Sequence, residues 1–392
     1  MTAVPPSLLT NLRALPPAAW VLFAGTFINR FGTFVMPFLV IYMTRLGYSV
    51  AQAGIAVSAY GAGHIMASML GGHLADTIGR RNTIVLSMFA SAGAMMALSQ
   101  ARTYGALLVL TILAGAAAEL YRPASSALIG DLVSPEQRVA AFAMYRFAVN
   151  LGFAAGPATA GFVAAHSFFY LFAIDAITSV GYGLVALFAL PHGLRGQNTG
   201  ESAGEGFRVA LRDRRFVLFL MATLAVTWTE FQVHSTLPIY MQTQGFAITT
   251  YGLLMSINGL MIVFLELALT SWTQRFPPQW MIAVGYGLSA LGLAATGLAH
   301  TIPALAATVV VWTLGEMIFA PVTGAYVIGL APERYRGRYM GLWVMTWSCG
   351  MLIGPALGTF LFERDPNYLW IACAVAGVTS AGLALIQPRS VK

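Results

Sequence analysis

The chain has 392 residues, of which 58% are hydrophobic and only 9% charged, with a formal net charge of +7. Soluble domains carry roughly 25% charged residues, so the composition excludes a soluble globular protein and points to an integral membrane protein. The two cysteines, Cys349 and Cys373, both fall in apolar stretches, which argues against a disulfide framework or a thiolate metal site.

The first dozen residues carry only Arg13 and no cleavable apolar core, so the first span is expected to be retained. Residues 82–101 form a run of twenty without a charge, and 280–299 form another. About 20 apolar residues cross a hydrocarbon core of about 30 Å as a helix. Strand spans would be shorter and would alternate apolar with polar, which these do not. The apolar runs predict twelve helices, at 17–43, 51–74, 82–101, 104–130, 138–165, 167–190, 215–242, 248–272, 280–300, 302–330, 338–362 and 367–388. An even number puts both termini on one side. Fifteen basic residues fall in one set of loops and termini (Arg13, Arg80, Arg81, Arg138, Arg195, Arg208, Arg212, Arg214, Arg215, Arg275, Arg334, Arg336, Arg338, Arg389 and Lys392). Only Arg45, Arg102 and Arg364 fall in the other. Cytoplasmic loops are the basic ones, so both termini are expected in the cytoplasm. The positive charge reads as topology and not as a nucleic-acid footprint.

The longest loop is Gly-rich and polar at its start and basic at its end, which suits a flexible linker followed by a short surface helix. It divides the chain into an N-terminal six-helix bundle (1–190), a cytoplasmic linker (191–214) and a C-terminal six-helix bundle (215–392). An offset of 198 residues maps Ile41-Tyr42-Met43 onto Ile239-Tyr240-Met241. It also pairs Gly47 with Gly245, Gly54 with Gly252, Pro123 with Pro321, Arg138 with Arg336, Gly152 with Gly350, and Gly156-Pro157 with Gly354-Pro355. A constant offset through six spans marks a duplicated six-helix unit in parallel repeat, with the copies expected to meet about an axis along the membrane normal and a cavity between them.

Between the second and third helices lies GGHLADTIGRRN, at 71–82. By itself it is a charged turn. Position by position, Gly72, Leu74, Ala75, Asp76, Gly79, Arg80 and Arg81 resemble the signature loop of the major facilitator superfamily, and the resemblance extends over essentially the whole chain. It implies an all-α fold of two six-helix bundles working by alternating access. It also implies a latch in which Asp76 and the arginines hold the halves together at the cytoplasmic face, since a carboxylate is favoured at the positive end of a helix. The matching second-half loop, at 273–280, keeps Arg275 and has no acid, so the latch is expected to be asymmetric. The segment GFAAGPATAG, at 152–161, resembles the G-x-x-x-G-P motif of the superfamily's drug:proton antiporters. Gly152 and Gly156 permit close helix approach and Pro157 a bend. Gly354 and Pro355 repeat it in the second half, where ordinary packing explains it equally well. Thr111 stands where many antiporters carry a span-four arginine, and the nearest arginine is Arg122.

Ionisable residues at membrane depth are costly and are functional by default. The first half has Arg30, Glu119, Arg122, Arg146 and Asp175; the second has Glu230, Glu266 and Glu316 with no Arg or Lys. Glu119 and Arg122 are three apart and can pair, either as a structural ion pair or in transport. Arg30, with Asn29, is midway along span one, a cavity-lining helix in the resembled family, and can bind an anionic group or neutralise Asp175 or Glu119. Glu230 and His234 are four apart, facing one way as a proton site or as a simple hydrogen-bonded pair. His64 has no evident partner. Glu316 is isolated: protonated it is neutral and tolerable, and deprotonated it needs a cation, water or an arginine. A carboxyl that loads and releases a proton is what a proton-driven carrier needs.

The segment TLGEMIFAP, at 313–321, resembles span ten of LmrP-type multidrug antiporters and of proton-coupled oligopeptide transporters. Both families tie a glutamate there to coupling or substrate binding. Proton-coupling candidates are thus Glu316, Glu230, Glu266, Glu119, Asp175 and His234. Candidates for the substrate cavity are Arg30, Asn29, Tyr60, Arg122, Trp228, Phe231, Trp312 and Phe319. The expected function is proton-coupled efflux of lipophilic or cationic small molecules; the alternative is proton-coupled uptake of a small nutrient such as a short peptide. The FINRF segment lacks the acids of the peptide family's E-x-x-E-R-F pattern. A non-transporting receptor on the same fold is disfavoured by the buried acids. No catalytic triad, metal-ligand cluster or phosphate-binding loop is evident, so no enzyme, metal or cofactor is expected. The expected partners are a small-molecule substrate, protons and membrane lipid, with the protein a monomer in a bacterial inner membrane.

Overall fold

The structure, a computed structural model, describes residues 12–134, 137–193, 203–273, 275–332 and 335–386. Arg195, Arg334, Arg389 and Lys392, and linker residues 194–202, lie outside the described residues. Among the described residues, twelve helical spans are long and apolar enough to cross a membrane. They are one to six at Pro17–Arg45, Val50–Thr77, Arg80–Gln100, Tyr104–Leu132, Ala140–His166 and Phe168–Ala189, and seven to twelve at Arg214–His234, Ile248–Glu266, Pro278–Leu298, Ile302–Leu330, Arg336–Arg364 and Pro366–Leu385. The described residues contain no strand. The protein is a multi-pass, all-α membrane protein.

The chain packs as two compact units, one of residues 1–35 with 62–198 and one of 36–61 with 199–392. The core of the first includes Leu22, Met88, Tyr121, Leu128 and Tyr182. The core of the second includes Phe216, Phe219, Tyr286, Phe319 and Tyr339. Within the second unit, residues 36–61 dock on spans eight and eleven. Phe38 meets Tyr251 edge-to-face at 5.3 Å, and the Ala356 N–H donates to Ser58 Oγ at 3.0 Å. Gly61 lies so close to the span-eleven backbone that a Cβ there would be 2.8 Å from Leu352 N.

The 198-residue repeat is visible in how the helices begin and end. Thr103 and Thr301 each cap a helix by accepting the N–H three residues on, from Ala106 and Ala304. Ser167 and Asp365 each accept the N–H two residues on. Such caps satisfy otherwise orphaned donors. Gly47 and Gly245 both close a helix with positive φ, 91° and 80°, and each motif returns an N–H from the next residue, Tyr48 to Met43 O and Phe246 to Met241 O. The left-handed region costs an L-residue about 1–2 kcal/mol. Gly47→Ala and Gly245→Ala are each expected to lower stability by about that amount, read as a lower thermal midpoint, because nothing lies within 4 Å to compensate or to clash.

Three spans are broken, and proline sets each break. Proline lacks an N–H and its ring crowds the carbonyl four residues back. Span one stops at Gly32 and resumes at Val35, with Pro37 third in the new segment. Span four stops at Glu119 and resumes at Tyr121, with Pro123 third. Span seven stops at Glu230, passes through a 3-10 turn at Phe231–His234 and resumes at Thr236, with Pro238 third. Pro321, the repeat partner of Pro123, sits inside an unbroken helix.

The predicted glycine motifs seat the broken spans. Within the first unit, a Cβ on Gly152 would lie 2.7 Å from the Arg30 Cβ, and one on Gly156 2.7 Å from Phe31 O. Within the second, a Cβ on Gly350 would lie 2.7 Å from the Thr227 Cβ, and one on Gly354 3.0 Å from the Phe231 Cβ. Spans five and eleven thus offer small-residue faces to spans one and seven just before their breaks. Pro157 and Pro355 lie inside continuous helices beside those faces.

Candidate functional site

The breaks put ionisable side chains at helix ends, where free backbone groups and interruptions of packing leave room for polar chemistry. In the first unit Glu119 is the last residue of the first segment of span four. Its Oε1 accepts from Arg30 Nη2 at 3.1 Å and its Oε2 from Arg122 Nη1 at 2.9 Å. His64 Nε2 stands 3.6 Å from Oε1, so this histidine faces a carboxylate from another span. The Arg30 guanidinium also sits over the Tyr121 ring, 5.6 Å from its centroid. Two guanidiniums share one carboxylate. Glu119 is buried at 8% side-chain exposure, whereas Arg122 is 54% exposed.

The break beneath this cluster is spliced by Ser87. In an uninterrupted helix the Tyr121 N–H would bond to Ala117 O. Here the N–H donates to Ser87 Oγ at 3.1 Å, and that hydroxyl donates to Ala117 O at 2.5 Å. Asp175, a proton-site candidate, faces the break in span one, where its Oδ2 accepts the Val35 N–H at 3.5 Å. Asn29 is buried, and its carbonyl accepts the Thr33 hydroxyl at 2.9 Å beside the same break.

In the second unit Glu316 is not isolated. Its Oε2 accepts from Asn258 Nδ2 at 3.0 Å, and the same amide donates to Thr313 Oγ1 at 3.2 Å. Glu230, the last helical residue of span seven, accepts a hydrogen bond from Ser289 of span nine. The two carboxyls lie close enough to act on each other electrostatically. Glu266 is buried in span eight. The expected shared face of Glu230 and His234 does not persist, because the 3-10 turn begins at Phe231 and changes the rotation per residue. The His234 ring lies near Phe231, centroids 6.5 Å apart. Gln232, fully buried in that turn, ties it down. Its Nε2 donates to Trp228 O at 2.8 Å and Gly354 O at 3.0 Å, and its Oε1 accepts from Ser235 and Thr236.

Among the cavity candidates, Trp228 and Phe231 are half-buried and Tyr60 is buried. Trp312 and Phe319 are buried as well. Phe319 is fully buried against Tyr286, centroids 4.9 Å apart. A Cβ on Gly292 would lie 2.8 Å from the Trp312 Cβ. Residues 312, 315 and 319 share one helical face, and small span-nine residues draw that face into packing.

In the predicted latch, Arg80 pairs with Asp131 and donates to Ala127 O at 3.1 Å. Arg81 Nη2 lies 2.6 Å from His192 Nε2. Gly79 takes φ 92° at the turn, Gly72 has open space on its Cβ side, and Asp76 is exposed. The contacts described for both arginines are within the first unit.

The sequence profile of the Major Facilitator Superfamily matches residues 22–264 and 233–392. The chain belongs to that superfamily. This facilitator is 25% identical to a Na(+), Li(+), K(+)/H(+) antiporter of Planococcus maritimus, covering 88% of this chain and 93% of the relative. It is 24% identical to the multidrug resistance protein MdtH of Cronobacter sakazakii, covering 86% and 85%. A solved POT family transporter in complex with a thioalcohol-conjugated peptide superposes with a TM-score of 0.77 at 18% identity, covering 96% of this chain and 98% of that one. The family and these relatives are transporters and not enzymes.

Proposed function

We propose that this facilitator is a proton-coupled antiporter of a bacterial inner membrane, with cytoplasmic termini, exporting lipophilic or cationic small molecules by alternating access. The observation that carries the reading is the pair Glu230 and Glu316 in the second unit, held by Ser289 and by Asn258 with Thr313. Acids at membrane depth are tolerable only when protonated or when matched by a cation. Exchanging one for the other is antiport. The relatives named as a cation/H(+) antiporter and a multidrug resistance protein are in keeping with it. The protein works as a monomer and takes its energy from the proton gradient, without a cofactor.

A second reading, proton-coupled uptake of a small nutrient such as a short peptide, is favoured by the two guanidiniums of Arg30 and Arg122 gathered at Glu119 and by the exposure of Arg122. The test is flux in proteoliposomes with a panel of lipophilic cations and short peptides under imposed pH gradients. Antiport predicts that cations move against the direction of proton flow. Movement of a peptide with the protons would replace the first reading with the second, and no gradient-dependent flux of any solute would defeat both.

A further inference from the structure

The helix Ala203–Arg212 is not a transmembrane span, and none of the coupling residues lies on it. It ends one residue before Arg214, where span seven begins, so its position at the membrane face is fixed by covalent geometry. Asp213 makes that junction stiff. Its Oδ1 accepts the Arg215 and Phe216 N–H groups, capping span seven, and its Oδ2 accepts the Tyr339 hydroxyl of span eleven at 3.2 Å. Ala210 is fully buried in the core of the unit, and Arg338 lies over the Phe207 ring, 5.7 Å from its centroid. The helix is therefore clamped on one side to the ends of spans seven and eleven.

The exposed residues of the helix form two kinds of surface. Phe207 and Leu211, four residues apart and so on one stripe, are 38% and 58% exposed. Arg208 and Arg212, also four apart, are exposed on the next stripe, and exposed Arg214 follows at the start of the span. An apolar stripe beside an arginine stripe, parallel to a bilayer surface, is the pattern of a helix lying in the interface. Its apolar side chains enter the acyl boundary while its cations reach phosphate oxygens.

We propose that Ala203–Arg212 is a binding surface for anionic phospholipid, with Arg208 and Arg212 holding the phosphodiester headgroup and Phe207 and Leu211 packing on the acyl chains. Because Asp213 joins this helix to spans seven and eleven, a bound lipid steadies the cytoplasmic ends of both. An arginine near an anionic surface contributes about 1 kcal/mol, so removing two weakens apparent affinity roughly 20- to 30-fold.

The test uses the full chain in neutral detergent, titrated with phosphatidylglycerol or phosphatidylcholine while thermal unfolding is followed. Phosphatidylglycerol is expected to raise the midpoint at lower concentration than phosphatidylcholine. Arg208→Gln/Arg212→Gln should move the phosphatidylglycerol titration up by roughly 20- to 30-fold, with the lipid-free midpoint little changed, and Arg208→Lys/Arg212→Lys should recover most of it. Leu211→Ser should weaken the response to both lipids, and Arg275→Gln, a basic change elsewhere, should leave both intact. An unshifted titration in the double Gln variant, or loss of the response in Arg275→Gln, overturns the proposal. Equal responses to the two lipids in the unaltered chain would do the same and leave the face to a protein partner.

Discussion

Glu316→Gln is expected to stop pH-gradient-driven transport in proteoliposomes, lowering the gradient-dependent rate roughly 100-fold or more, the scale on which positioned proton-transfer groups act. Glutamine keeps the shape and an acceptor oxygen for Asn258, so the hydrogen bonds at 3.0 and 3.2 Å have counterparts in the variant and the fold should survive. The variant is fixed in the neutral state that the protonated acid adopts. It should therefore still bind a neutral ligand and still exchange it when ligand is present on both sides. Glu230→Gln separates the roles of the two acids. If Glu230 mainly tunes Glu316 through proximity, its loss alters the pH dependence of transport while gradient-driven flux persists. Undiminished gradient-driven transport by Glu316→Gln would remove that residue from coupling.

What was legible in the sequence is instructive residue by residue. Twelve spans were readable because an uncharged run of membrane length leaves few alternatives to a helix. The Glu119–Arg122 pair was readable because three residues on a helix is a local geometry. The partners of the buried acids were not. Asn258, Ser289 and Ser87 are small or neutral, common in apolar helices, and acquire their roles only when another span is brought against them. Proline held an unused signal. Pro37, Pro123 and Pro238 each imply an interruption four residues upstream, at Thr33 beside Asp175 and Arg30, at Glu119, and at His234, where the turn that follows Glu230 ends. The packing of Trp312 and Phe319 was not legible for the complementary reason. Large aromatics suit either a cavity or a groove, and the close approach of the small span-nine residues Gly285 and Gly292 shows only in three dimensions.

Glu119→Gln should be the most destabilising single change in the first unit. The carboxylate is buried and accepts from both Arg30 and Arg122. Removing its charge takes away the carboxylate that both guanidiniums share. Breaking a buried pair in this way costs about 3–5 kcal/mol, because desolvation of the remaining charge persists after its compensation is gone. The expected readout is a large fall in the thermal midpoint of purified protein, or failure to recover folded protein. The three arms of the cluster are not equivalent, which gives the prediction its internal check. Arg122 is 54% exposed, and Arg122→Gln leaves the Arg30 guanidinium still paired with the Glu119 carboxylate. It should cost far less. Combining it with Glu119→Gln removes opposite charges together, so the double variant should be more stable than Glu119→Gln alone. The sign of that coupling distinguishes a charge-balanced site from ordinary packing, in which the two losses would add. Additive losses would mean that Glu119 stabilises the span-four break by shape and hydrogen bonding and not by holding two cations in place.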